Sequence, residues 1–288
     1  MTSQNLVLLS RQPIDTKVIH AVSVYFNFPV VKTINPSIIR LTNISHVSIN
    51  GQSRSFLKKI CYPNQIDFAI VAACPINHFS LMVFDMDSTF IENECIDEIA
   101  KYTGVYDQVA KLTEQTMRGE ISNFEESLKQ RVALLKGIDV DVLHHIYRKK
   151  IKVSEGIEKL IRITKEKKIK TLLVSGGFTF FTEKIAKQFD LDFHYANQLE
   201  QHNERLTGSV TGPIIDGIAK AEIVAKTREL LNISADQTIV IGDGANDIPM
   251  MKEANISIAY RGKESVQKVA KISFNYVNLN YVAHLFEI

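Results

Sequence analysis

Apolar runs too continuous to alternate mark the strands of a sheet buried on both faces. Leu81-Met-Val-Phe84 is one such run, and it stops at Asp85-Met-Asp87. Lys170-Thr-Leu-Leu-Val174 stops at Ser175-Gly-Gly177, and Thr238-Ile-Val-Ile241 at Gly242-Asp-Gly-Ala-Asn-Asp247. Ile256 to Ala259 supplies a fourth strand. Helical periodicity separates them at Ile157 to Lys168, Thr179 to Gln188 and Ala221 to Leu231, with Lys220 opening the last helix. Phe193 to Gln198, Leu206 to Val210 and Pro213 to Ile215 read as further strands, some pairing as a hairpin beside the main sheet. Alternation of this kind predicts an α/β fold, a doubly wound parallel sheet of Rossmann-like type.

Two stretches depart from that rhythm. Residues 1 to about 78 read as strand (Leu6 to Leu9), helix (Asp15 to Val24), two strands (Val30 to Ile34, Ile38 to Ile44), helix (Ser53 to Ile60) and strand (Ile66 to Ala72). This βαββαβ order suits a small α+β ferredoxin-like module, followed by a core over 79–288. From Ile96 to about Lys150 the period is helical throughout, an insertion placed to cover the carboxyl edge of the sheet as a cap. Within it Ser122 and Glu125 form a capping box, and Phe124, Leu128 and Arg131 recur at i, i+4 and i+7 on one face. An arginine on an apolar stripe either snorkels or has an acidic partner.

Composition narrows the function classes. The 288 residues carry a formal charge of +2 without a basic block, so nothing proposes nucleic-acid binding. No apolar run reaches the length of a membrane span, and the first ten residues lack the basic lead of a signal peptide. Cys61, Cys74 and Cys95 are odd in number and widely spaced. They read as reduced thiols of a cytoplasmic protein rather than as a disulfide framework or a zinc site.

The strand ends carry the candidate chemistry. In an extended chain Asp85 and Asp87 project to the same side, and two carboxylates that close call for a shared proton or a hard divalent cation such as Mg²⁺. Alone, Asp-x-Asp reads as a solvated acidic turn. Glycines in Ser175-Gly-Gly177 let backbone N–H groups approach an anion, and Asp243, Asn246 and Asp247 end a third strand. The three strand ends converge only if the strands are parallel neighbours, where open α/β sheets place their ligands.

Taken in order, Asp85-Met-Asp-Ser-Thr89, Ser175-Gly-Gly177, Lys220 and Gly242-Asp-Gly-Ala-Asn-Asp247 resemble the four motifs of the haloacid dehalogenase-like phosphohydrolases. Asp-Met-Asp-Ser-Thr with Glu94 is similar to the phosphoserine phosphatases within that superfamily. The resemblance spans roughly the last two-thirds of the chain. It implies a Mg²⁺-dependent hydrolase that converts O-phospho-L-serine to L-serine and phosphate through an aspartyl-phosphate, the last step of serine biosynthesis. By the same resemblance Asp85 is the nucleophile, Asp87 the proton donor and acceptor, and Lys220 the partner of the phosphoryl oxygens. Ser175, Gly176, Gly177 and Asn246 join the substrate site; Arg131 takes the substrate carboxylate, Glu94 its ammonium, and Met117 and Phe124 line the pocket. Asp85, Asp243 and the backbone carbonyl of Asp87 hold the metal, with Asp247 one step behind it.

The N-terminal module then resembles the ACT domains, which bind amino acids. Its first strand-to-helix connection, Ser10-Arg-Gln-Pro-Ile-Asp15, holds no glycine, so a spacer or a homodimer through this module stands beside amino-acid binding. Two rival functions stay open: a phosphatase for another small phosphorylated amino acid or alcohol, and a non-catalytic signalling module phosphorylated on Asp85.

Overall fold

The computed structural model describes residues 4–27, 29–44, 50–117 and 123–287. Its N-terminal part runs β1 (Gln4–Leu9), α1 (Thr16–Tyr25), β2 (Val30–Asn35), β3 (Ile38–Ile44), α2 (Gly51–Cys61) and β4 (Asp67–Ala72). The four strands form an antiparallel sheet in the order β2-β3-β1-β4, the βαββαβ arrangement expected of the sequence. Alternation along β1 divides its side chains between two cores. Leu6 and Leu8 pack with Val18, Val22 and Leu57 under the two helices, while Val7 and Leu9 join Phe79, Phe84 and Phe286 of the larger body.

That body follows as β5 (Leu81–Phe84), the helices α3 (Cys95–Thr103), α4 (Tyr106–Met117), α5 (Phe124–Ala133), α6 (Val140–Lys149) and α7 (Ile157–Glu166), and then β6 (Lys170–Phe178). The chain continues through α8 (Thr179–Phe189), β7 (Phe193–His202), β8 (Arg205–Thr211), α9 (Gly217–Leu231), β9 (Thr238–Gly242), α10 (Ile248–Met251), β10 (Ile256–Tyr260), α11 (Glu264–Gln267) and β11 (Ile272–Phe274). The strand order is β11-β10-β9-β5-β6-β7-β8, parallel except for the β7–β8 hairpin. The chain moves outward from β5 through β6 and β7, then returns to build β9, β10 and β11 on the other side. This reversal opens a crevice at the carboxyl end of β5. Both faces of β5 are buried, Leu81 and Val83 in one layer and Met82 and Phe84 in the other. Helices α3 to α6 form the inserted cap.

Four local expectations need correction. Ser122 lies outside the described residues, and α5 is capped by Asn123, whose side chain accepts from Glu126 N at 2.8 Å. Pro213 to Ile215 is not a strand. Helix α9 begins at Gly217, so Lys220 lies inside its first turn; Asp216 caps it by accepting from Ile218 N and Ala219 N, both at 2.9 Å. Ser175 to Gly177 is not a loop ahead of a helix but an irregular continuation of β6.

A buried carboxylate locks the small sheet to the large one. Asp67, at the start of β4, accepts from Asn275 N at 3.0 Å, Tyr276 N at 2.8 Å and Val277 N at 2.9 Å, just beyond β11. Arg40 of β3 adds bonds to the carbonyls of His284 at 3.0 Å and Phe286 at 2.7 Å. Asp67→Ala strands three backbone donors away from water and is expected to cost about 2–4 kcal/mol. Urea unfolding monitored by circular dichroism measures it, and a loss below about 0.5 kcal/mol would show that water replaces the carboxylate without penalty.

Candidate active site

Beyond Phe84 the chain leaves the strand in a wide turn in which Phe90 N donates to Asp85 O at 3.2 Å and Ile91 N to Met86 O at 3.0 Å. Ser88 sits in the left-handed region at φ 57°. The turn overrides the strand geometry that would set Asp85 and Asp87 side by side. Instead Asp85 accepts from Lys220 Nζ. Asp87 turns towards the cap, taking Cys95 N at 2.9 Å and Ser175 Oγ at 3.2 Å.

Lys220 is fully enclosed, and its second partner is Asp247 Oδ1 at 2.9 Å. The other oxygen of Asp247 accepts from Asp243 N and Gly244 N, both at 3.0 Å, which folds the Gly242-to-Asp247 turn around one carboxylate. Side chains crowd the backbone at the two glycines of β6. A Cβ at Gly177 would lie 2.6 Å from Asp87 Oδ2, and one at Gly176 would lie 3.0 Å from the Phe124 ring.

These groups close around a cavity of about 220 Å³. Asp85, Asp87, Ser175, Gly176, Gly177, Asp243 and Asn246 line its sheet side, and Glu94, Phe124, Leu128 and Arg131 its cap side. The i, i+4, i+7 face of α5 therefore turns inward. Arg131 Nε donates to Ser127 O at 3.2 Å, within its own helix. Glu94, the residue before α3, accepts from Ser88 Oγ at 2.8 Å. The side chain of Met117 lies outside the described residues. Phe178 and Gly244 also line the cavity, as do Ile96 and Lys263, which are not candidate site residues in the sequence. Lys263 follows β10, and its N–H donates to Asp243 O at 3.0 Å. The signal for it was a fourth parallel strand ending in Arg261-Gly-Lys263, next to the strand that carries Asp243.

The electrostatic balance is negative. Burial, joined by the neighbouring charge of Asp247, raises the Asp85 carboxyl well above the usual range despite the opposing pull of Lys220. Burial likewise raises Asp87, against the hydrogen bonds it accepts. Burial and the charge of Asp87 push Glu94 up to about 7. Burial and Asp247 push Asp243 up to about 6. Burial works against the charge on Lys220, but Asp247 and Asp85 outweigh it and the pKa rises. Asp85, Asp243 and Asp247 each offer an oxygen within 4.8 Å of the others. Two carboxylates paired with one lysine, and a third beside them, fit a hard divalent cation. Asp247 already spends both oxygens on hydrogen bonds, while among the described residues the carboxylate of Asp243 takes Thr89 Oγ1 alone, at 3.4 Å, so Asp85 and Asp243 are the freer ligands. The carboxylate of Asp87 is not among the clustered ligands.

Comparison with known proteins places this geometry. Residues 79–255 match the model of the haloacid dehalogenase-like hydrolases. A phosphoserine phosphatase of Polaromonas sp. is 44% identical over 214 residues, which is 73% of this chain and 91% of that protein. The crystal structure of a HAD family hydrolase from Salmonella enterica serovar Typhi superposes with a TM-score of 0.90 at 27% identity, covering 98% of each chain. A structure of a phospho-aspartyl intermediate analogue of phosphoserine phosphatase superposes with a TM-score of 0.68 at 36% identity, over 73% of this chain and 99% of that one.

Carboxyls raised on folding hold protons that the unfolded chain releases. Their contribution to stability is full below the unfolded carboxylate range and lost as pH rises through the folded values, about 6 for Asp243 and about 7 for Glu94. In chelator the melting temperature is therefore expected to fall from about pH 4 to about pH 7, and Glu94→Gln to flatten that slope. Thermal melts of both proteins check this, and an equal slope in the two would remove Glu94 from the account.

Proposed function

This chain belongs to the haloacid dehalogenase-like hydrolases, and on that footing we infer that it hydrolyses O-phospho-L-serine to L-serine and phosphate. One observation carries the reading. One cavity brings Asp85, Ser175 and Gly176, with Lys220 behind them, together with Glu94 and Arg131, which we read as a phosphate end and an amino-acid end. A small zwitterion esterified to phosphate matches both ends at once.

The proposed chemistry follows from what each group can do. Asp85 attacks phosphorus in line, and the bond from phosphorus to the serine oxygen breaks as the aspartyl-phosphate forms. Asp87, whose raised pKa suits it to carry a proton, gives that proton to the departing oxygen. It then takes one from the water that hydrolyses the acyl phosphate. Ser175 Oγ and the backbone of Gly176 and Gly177 orient the phosphoryl oxygens, and Lys220 offsets their charge. Mg²⁺, held by Asp85, Asp243 and the carbonyl of Asp87, would supply the remaining charge neutralisation. Asp247 orients Lys220 and the Asp243 turn, and Asn246 faces the phosphate.

At the other end, the planar fork of Arg131 suits a carboxylate. Burial lowers its pKa, with the charges of Asp97 and Glu94 opposing that fall. Glu94 receives the ammonium, and Phe124 closes the wall against Gly176. Met117, on the same helical insertion, is proposed to complete that wall. The cap excludes water from the ester. An aspartyl-phosphate signalling module needs no such enclosure, so that alternative has less to support it.

The role of the chain as the last step of serine biosynthesis belongs to the same reading. No helix among the described residues is long and apolar enough to cross a membrane. A cytoplasmic setting is proposed with it, since the three cysteines are unpaired and two are buried. We read residues 1–78 as an ACT-like module and 79–288 as the catalytic unit. Strand β2 is exposed along its whole length, with Val30, Val31 and Ile34 uncovered, which supports self-pairing of that module in a homodimer.

Phosphate release from L-phosphoserine, with Mg²⁺ and with chelator, beside threonine, sugar and glycerol phosphates, tests the substrate and the metal together. Strong preference for phosphoserine that chelator abolishes is expected; activity confined to the other esters would overturn the roles of Glu94 and Arg131. Asp85→Asn is expected to abolish turnover with the melting curve preserved. Arg131→Ala is expected to cost about 2–5 kcal/mol in kcat/KM for phosphoserine and much less for glycerol phosphate, which has no carboxylate.

A further inference from the structure

The groups read above as gripping the phosphoryl oxygens lie on different arms of the chain, and one buried side chain joins them. Strands β6 and β7 stay in register from Leu172 opposite Phe193 to Val174 opposite Tyr195, then resume at Phe178 opposite Asn197. Strand β6 thus spends four residues where β7 spends two. The bulge turns the Ser175–Gly177 stretch towards the cavity. The carbonyl of Gly176 is taken by the side chain of Asn197, whose Nδ2 donates to it at 2.9 Å.

The same amide reaches the other arm. Asn197 Nδ2 also donates to Ile215 O at 3.4 Å, and its Oδ1 accepts from Ile215 N at 2.7 Å. Its orientation is determined by these partners: turned over, it would set an oxygen against two carbonyls and an NH₂ against an N–H. Ile215 precedes Asp216, the cap of α9, and Asp216 O accepts from Lys220 N at 2.9 Å, one turn along. The expected strand over Pro213 to Ile215 is replaced by this side-chain tether. Asn197 is 1% exposed and does not line the cavity, so it has no route to substrate.

We propose that Asn197 is a positioning residue: it sets the spacing between the Ser175–Gly177 cradle and Lys220 so that both meet the same phosphoryl group. The proposal rests on the phosphatase reading of the cavity. A residue that only satisfied buried backbone would affect the melting temperature and leave turnover per folded molecule alone. A positioning residue affects the chemical step, because displacement of aligned groups by about 1 Å can cost on the order of 100-fold in rate.

The test compares wild type with Asn197→Ala and with the isosteric Asn197→Asp, which keeps the acceptor for Ile215 N but loses both donors. Rates are expressed per folded molecule, counted from the cooperative melt, and the competitive inhibition constant of inorganic phosphate is measured beside kcat and KM for phosphoserine. In both variants kcat is expected to fall by about 10- to 100-fold, and the phosphate constant to rise by a similar factor. KM should move less, since Arg131 and Glu94 still hold the amino-acid end. Values of kcat and phosphate affinity within about twofold of wild type would overturn the proposal, as would wild-type turnover by Asn197→Asp alone. Failure of wild type on phosphoserine, with another ester hydrolysed, would instead refute the substrate reading, and the same comparison would be run on that ester.

Discussion

A lysine with no exposed surface, held between two buried carboxylates, is the constraint around which this molecule is arranged. Removing an ammonium from water costs several kcal/mol even after the protein relaxes, and only close, well-oriented opposite charges offset it. Asp85 comes from the end of the central strand, Asp247 from the turn after β9, and Lys220 from the first turn of α9. The three meet only if β5 and β9 are neighbours and α9 starts at the carboxyl edge of the sheet. Strand order, helix cap and bulge all serve that meeting. The charge imbalance it leaves, with the carboxyls of Asp85, Asp87, Glu94 and Asp243 raised, is the condition for capturing a cation.

Catalytic and recognition groups are distributed by rigidity. Those proposed to grip phosphate sit on strand ends, where a Cβ at Gly177 would lie 2.6 Å from Asp87 Oδ2. Those proposed to grip the remainder of the substrate sit on α5 and at the start of α3, on helices inserted between β5 and β6. Chemistry and specificity can then vary independently, which is how one superfamily fold serves many esters.

Much of this was legible in the residues. Continuous apolar runs gave the parallel strands, and their polar ends gave Asp85, Ser175, Asp243 and Asp247. The face of α5 was readable because Phe124, Leu128 and Arg131 share a helical period. What was not legible depended on contacts between distant segments. Strand geometry suggested that Asp85 and Asp87 stay side by side, but a turn closed by the backbone of Phe90 and Ile91 parts them. Pro213 to Ile215 carries strand-like residues, yet its hydrogen bonds go to Asn197, 18 residues away. Lys263 is found only by asking which strand ends lie beside Asp243, since its immediate neighbours resemble those of a surface lysine. Asp67 read as an ordinary strand residue, its three partners lying more than 200 positions further on.

The inward-facing side chains of β1 share a core with residues around Phe286, and Arg40 is tied to the carbonyl of Phe286 across 246 positions. On the ribosome, the small sheet, which precedes the large one in the chain, therefore has one complete apolar face and one bare face until nearly the whole described chain has been made. Its outer helices can settle early, but Val7 and Leu9 stay open to water or to a chaperone throughout elongation. The small sheet precedes the large one in sequence and is finished after it, so its completion reports that the body beneath it has already formed.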